Sequence, residues 1–167
     1  MSDRMVAEIE VGGPVPRGLA PELIEQIRAS GAFVTWEEVR FGATTAEELV
    51  ALAKRTSEHG TLLLADFEAS GGRFEALEEF LVKHGIAFDR RSEARAEYDA
   101  ELYQFRPDLE KPRLWLADQI GRPAILVSNL DGVRTALERA HCEEARQLLD
   151  VLLGPVIPPL TPLRTDA

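Results

Sequence analysis

The sequence predicts a mixed α+β or α/β fold, and three observations carry that prediction. Residues 61–67 form a nearly continuous apolar run, as a central strand does. Amphipathic stretches are repeatedly closed by a glycine, at Gly31, Gly60 and Gly85. From Ala94 onward the texture changes to alternating strand patterns and turns. The expected layout is two strand–helix–strand units with an extra helix, followed by a C-terminal antiparallel meander and a helix. A doubly wound parallel sheet is the alternative, because strand and helix alternate three times. Residues 1–92 are expected to form the α/β core, 93–154 a meander plus helix packed on it, and 155–167 a proline-rich tail.

Taken in order, Met5, Ala7, Ile9 and Val11 alternate with Val6, Glu8 and Glu10, the period-two pattern of a half-buried strand. Gly12-Gly13-Pro14 stops it. A helix follows with Pro21 in its first turn, where a missing N–H costs nothing, and with Leu23, Ile24 and Ile27 as its apolar stripe. Residues 33–41 are rich in aromatic and β-branched side chains and read as one strand, with Trp36 facing away from Phe33, Val39 and Phe41. Thr45-Ala46-Glu47-Glu48 is a capping box that starts a helix carrying Leu49, Leu52 and Ala53 and ending at Gly60. The 61–67 run is expected to be covered on both faces. After Gly71-Gly72 comes a helix with Phe74, Leu77 and Leu81, then a strand beginning at Ile86.

A weak internal repeat links the two units: Leu23, Ile27 and Gly31 recur as Leu77, Leu81 and Gly85, each pair preceded by two adjacent glycines. The arrangement is similar to a ferredoxin-like split βαβ with an extra helix, a likeness of shape alone. Beyond it, residues 94–105 read as a strand whose phase is reversed by Tyr103 and Phe105, so that a bulge is expected near Leu102. Residues 113–119 and 123–128 flank Ile120-Gly121-Arg122 as a hairpin. One helix is expected over 133–153, capped by Asn129 or Asp131. The tail holds Pro158, Pro159 and Leu160, as an extended strap or as a free end that docks on a partner.

Composition narrows the function classes. With 29 acidic against 19 basic side chains the formal charge is −10, a field that repels nucleic acid and anionic membranes. The one locally basic run, Arg90, Arg91 and Arg95, is interrupted by Glu93 and reads as a solvated strand end. Cys142 is the only cysteine, so no intrachain disulfide forms. With no signal-like start and no stretch of roughly 20 apolar residues, a cytoplasmic protein without a membrane span is expected.

Candidate sites are few. Asp66 and Glu68, two apart in a strand, face one way and suit a small-molecule or hard-cation site beside the Gly71-Gly72 turn and Trp36. The glycine turn opens a helix but lacks the spacing and lysine of a phosphate loop. Tyr98, Asp99, Tyr103 and Arg106 cluster in sequence and are read as core before pocket. His141 and Glu144 share a helical face, but no second histidine is near in sequence. Cys142, read as mid-helix beside two glutamates, lacks the base a nucleophile needs. His59 and His84 are read as helix-end residues.

No metal and no cofactor is therefore expected. The leading expectation is a non-catalytic interaction or regulatory protein that binds a protein partner, with Trp36, Pro158, Pro159 and Leu160 as contact residues. A homo-oligomer is compatible with it. The alternatives are a small-molecule or metal-binding enzyme domain with its cleft at Asp66, Glu68, Gly71 and Gly72, and an acidic mimic of DNA.

Overall fold

A computed structural model of the chain describes residues 4–34, 39–95 and 98–166. The fold is mixed α+β: one eight-stranded antiparallel sheet, five helices and a small two-stranded parallel pairing. In chain order come β1 (Arg4–Gly12), β2 (Pro14–Pro16), α1 (Ala20–Ser30), β3 (Phe33–Val34), β4 (Val39–Arg40), α2 (Ala46–Thr56) and β5 (Leu62–Ser70). Then follow α3 (Glu75–Lys83), β6 (Ala87–Ser92), β7 (Glu101–Phe105), β8 (Arg113–Ala117), β9 (Pro123–Ala124), α4 (Asp131–Glu138), α5 (Cys142–Leu153) and β10 (Arg164–Asp166). The large sheet has the order β4-β3-β5-β1-β6-β7-β8-β9.

The parallel, doubly wound alternative is overturned, since neighbouring strands of the large sheet run antiparallel. The cause lies in interleaving. The unit β1-α1-β3 carries β5 between its strands, and β5-α3-β6 carries β1 between its own. Each crossover therefore spans a strand of opposite direction.

Alternation on β1 sets the faces: Met5, Ala7, Ile9 and Val11 are buried under α1, α2 and α3, whereas Val6, Glu8 and Glu10 are half-buried on the other face. The helices meet them with Leu23, Ile24 and Ile27, with Leu49, Leu52 and Ala53, and with Leu77, Phe80 and Leu81. Each such side chain contributes about 1.5–3 kcal/mol on burial. Gly31, in the left-handed conformation with φ 73°, ends α1 as expected. The capping box at α2 is shifted by one residue. Thr45 accepts from the Glu48 amide, but the Glu48 carboxylate takes the Thr44 amide and hydroxyl.

Several sequence expectations are corrected. Strand β5 lies mid-sheet, but the helices cover only one of its faces, so Leu63 and Phe67 on the other remain half-buried. Residues 33–41 are not one strand: β3 and β4 pair antiparallel, so the chain turns back on itself, and Trp36 lies outside the described residues. The bulge expected near Leu102 is absent, because β7 begins at Glu101 and pairs in unbroken register with β6 and β8 through Leu102, while Arg95 and Tyr98 ahead of it form an isolated bridge. Helix α2 stops at Thr56, before Gly60. The final helix is two helices, broken at Ala140, which takes φ 59°.

The tail is a strap. Gly13 N donates to Thr161 O at 2.9 Å, Leu163 N to Gly60 O at 2.9 Å, and β10 then pairs parallel with β2. Leu163 is buried in the main core. A Cβ on Gly12 would stand 2.5 Å from the Thr161 carbonyl oxygen, so only glycine lets the strap lie this close.

Candidate functional site

The three-helix layer ends at β6, while the same face of the sheet continues onto β7 and β8. A cleft of about 520 Å³ opens there, between α3 and the strands. At its deep end lies Arg90, only 1% exposed. Its position follows from strand parity: Phe88, Arg90 and Ser92 face the helices, paired across from Val11, Ile9 and Ala7. The expectation of a solvated strand end therefore fails at Arg90.

Arg90 Nη1 donates to Glu101 Oε2 at 2.9 Å and to Ser92 Oγ at 3.2 Å. Its Nε stands 3.3 Å from Glu78 Oε1 without hydrogen-bond geometry and has no other partner. The Tyr103 ring lies 5.3 Å from the guanidinium carbon. Glu78 occupies the apolar stripe of α3, and its Oε1 accepts from the Phe74 amide at 2.9 Å. Burial raises the Glu78 carboxyl above its ordinary range, against the pull of the Arg90 charge. Burial likewise raises the Tyr103 hydroxyl, and the Glu78 charge adds to it.

The rim of the cleft carries Arg73, Glu75, Glu79 and Lys83, and its apolar wall is Val82, Tyr103, Pro112 and Leu114. Leu114 is 50% exposed, on the part of the sheet that no helix covers. The arrangement can hold a small charged molecule with an apolar part. It assembles no nucleophile–base pair, and no group of three or more metal-ligating side chains occurs among the described residues.

Of the residues singled out from sequence, Tyr103 lines this cleft, and the leading candidates are placed elsewhere. Asp66 Oδ1 accepts from the Glu68 amide at 2.9 Å, and Glu68 pairs with Arg4 at 3.5 Å. An irregularity in the β1–β5 register falls between Asp66 and Ala69, the interval that holds Glu68, so two-residue spacing no longer puts both carboxylates on one face. Gly71 borders a second hollow, with Ser70, Arg73, Tyr98 and Asp99. A Cβ on Gly72 would meet Ser92 Cβ at 2.6 Å, so this glycine serves close packing. Pro158 and Pro159 lie exposed on the strap and Leu160 is half-buried, with Pro158 O held by Arg106 Nε at 2.8 Å.

His84 follows α3 and stacks on Phe80 at 4.5 Å between ring centroids. Cys142 is not mid-helix but the exposed first residue of α5, and His141 Nδ1 stands 3.1 Å from Glu144 Oε2.

A second surface stands out by exposure. Thirteen large apolar side chains are exposed among the described residues; Val39, Tyr98 and Leu114 precede Gln119, and the other ten fall from Ile120 to Val156. Helices α4 and α5 pack on one another through a cluster of only Val133, Ala136 and Ala145, with Leu152 partly buried beside it. No helix among the described residues is long and apolar enough to cross a membrane. No protein-family model matches the chain, and no curated protein or solved structure matches it significantly.

Proposed function

We propose that the chain is a non-catalytic interaction protein that works through the α4–α5 hairpin, and that the occupant of this surface is a second copy of the chain. Of the ten exposed large apolar side chains between Ile120 and Val156, five lie on the two helices, Leu137, Leu148, Leu149, Val151 and Leu153, and these carry the reading. Two antiparallel helices cannot bury both flanks of their apolar stripes against each other, whereas two hairpins pack as a four-helix bundle. The charges of the same segment are largely paired within it. Residues 127–156 hold five acidic and three basic side chains, a net −2 of the chain's −10. Three ion pairs, Arg134–Asp131, Arg146–Glu143 and Arg146–Asp150, occupy most of those charges within the hairpin.

The N-terminal part is a ferredoxin-like split βαβ arrangement, with α2 as the added helix. Its support is the order β3-β5-β1-β6 with each unit's strands separated by a strand of the other. On this reading the first unit is a scaffold, and the interaction surface is an addition to it.

Sedimentation equilibrium tests the assembly. The wild-type chain is expected as a dimer at micromolar concentration, and Leu149→Glu, on a helix surface 36% exposed, is expected as a folded monomer. Each leucine buried across the interface contributes on the order of 1.5 kcal/mol, so one charge there weakens assembly at least about tenfold. A wild-type monomer at high concentration, or an unaffected dimer in the variant, overturns the reading.

A further inference from the structure

We propose that the cleft between α3 and β6–β8 binds a small zwitterion with an apolar side chain, an α-amino acid, with its carboxylate on Arg90 and Arg73 and its ammonium on Glu75 and Glu79. The proposal is independent of assembly through the hairpin.

Balance of charge selects this class. Arg73, Lys83 and Arg90 border the cleft together with Glu75, Glu78 and Glu79, three charges of each sign. Glu101 adds a further carboxylate behind Arg90. A simple anion such as phosphate therefore meets carboxylates, and a simple cation meets guanidinium groups, whereas a neutral dipolar molecule finds both partners at once. The volume, about 520 Å³, suits a molecule of this size.

Arg90 has capacity for the carboxylate. Its Nε, 3.3 Å from Glu78 Oε1, makes no hydrogen bond, although the side chain is buried and borders the cleft. Glu78 cannot supply that bond by swinging inward without giving up the Phe74 amide. A guanidinium left incompletely satisfied at the wall of a cleft is a site for a planar carboxylate. The apolar part of the ligand would cover the exposed Leu114 and the open side of the half-buried Tyr103 ring.

The test is an NMR titration of the isotope-labelled full chain with L-phenylalanine and L-leucine, beside 3-phenylpropionate and 2-phenylethylamine, which keep the ring but one charge each. Saturable shifts are expected at residues 73–83 and 101–116, with a Kd on the order of 1 mM for the amino acids and at least about tenfold weaker binding of either analogue. Arg73→Gln, at an exposed position, is expected to weaken amino-acid binding about fivefold while the spectrum stays that of a folded protein. The absence of saturable shifts up to about 20 mM, equal binding of either analogue, shifts confined to another surface, or unchanged affinity in Arg73→Gln would each overturn the proposal.

Discussion

Arg106 and Arg90 are both buried, at 5% and 1% exposure, yet they are completed differently. Arg106 uses all three nitrogens. Nε donates to Pro158 O, Nη1 to Phe88 O, Phe105 O and Asp89 Oδ1, and Nη2 to Asp89 Oδ2. Every acceptor belongs to the fold or its strap, and the result is a fastener between β6, β7 and the tail. Arg90 Nε faces Glu78 Oε1 at 3.3 Å but makes no hydrogen bond, and the residue borders a cleft. A saturated buried arginine is structural, while an incompletely satisfied one at a wall has bonds left to offer a ligand.

The contrast can be broken most forcefully at Arg106. Arg106→Ala removes the charge partner of the largely buried Asp89 carboxylate, leaving it the Gln104 Nε2 hydrogen bond, and frees Pro158 O, and is expected to cost about 3–5 kcal/mol in denaturant unfolding. Amide exchange at Leu163 and Arg164 should quicken in the same variant. A cost below about 1 kcal/mol would mean that the fastener contributes no more than a surface pair.

A smaller effect is expected at Gly12. In Gly12→Ala the new methyl would stand 2.5 Å from Thr161 O, so the strap must lift, at a cost of about 1–3 kcal/mol. Exchange at Gly13 N, which donates to Thr161 O, reads the lifting directly. Unchanged exchange would show that the strap is held at its other contacts alone.

The finest probe is Glu78→Gln. Burial raises the Glu78 carboxyl above its ordinary 4.5, so the folded state takes up this proton at a pH where the unfolded chain has released it. Its contribution is therefore fullest below 4.5 and declines as pH rises through the raised value. Across that window the wild-type chain should lose stability relative to the glutamine variant. A difference between the two that stays flat with pH would remove burial of a titrating carboxyl from the account of this cleft.

Much of the first unit was legible in the sequence because its signals are local. The alternation of Met5, Ala7, Ile9 and Val11, the stripe Leu23–Ile24–Ile27 and the Gly31 cap each act within a few residues, and each is where periodicity placed it. Strand direction was not legible, since it depends on which distant strand enters between β1 and β3. Nor was the break at Ala140, a non-glycine residue at positive φ inside a helical pattern.

The Arg90–Glu78 contact could have been read and was missed. Arg90 keeps the parity of Phe88, and Glu78 sits beside Leu77 on a stripe reaching Leu81, so each charge occupies a core position. Two opposite charges at core positions of consecutive elements are the sequence signature of such a pair. The Asp66–Glu68 reading failed to bring its residues together because an irregular register defeats any argument from two-residue spacing.

The place of β1 has a further consequence. It is the earliest strand in the chain and lies at the heart of the sheet, flanked by β5 and β6, which begin only at Leu62 and Ala87. During synthesis the unpaired N–H and C=O groups of its two edges must wait, at roughly 5–20 residues per second, for partners that the ribosome has yet to make. Such dependence on remote pairing slows folding relative to a helical domain of the same size. For the nascent chain, the two acidic side chains Glu8 and Glu10 on the opposite face keep that waiting strand from joining its neighbours in other chains.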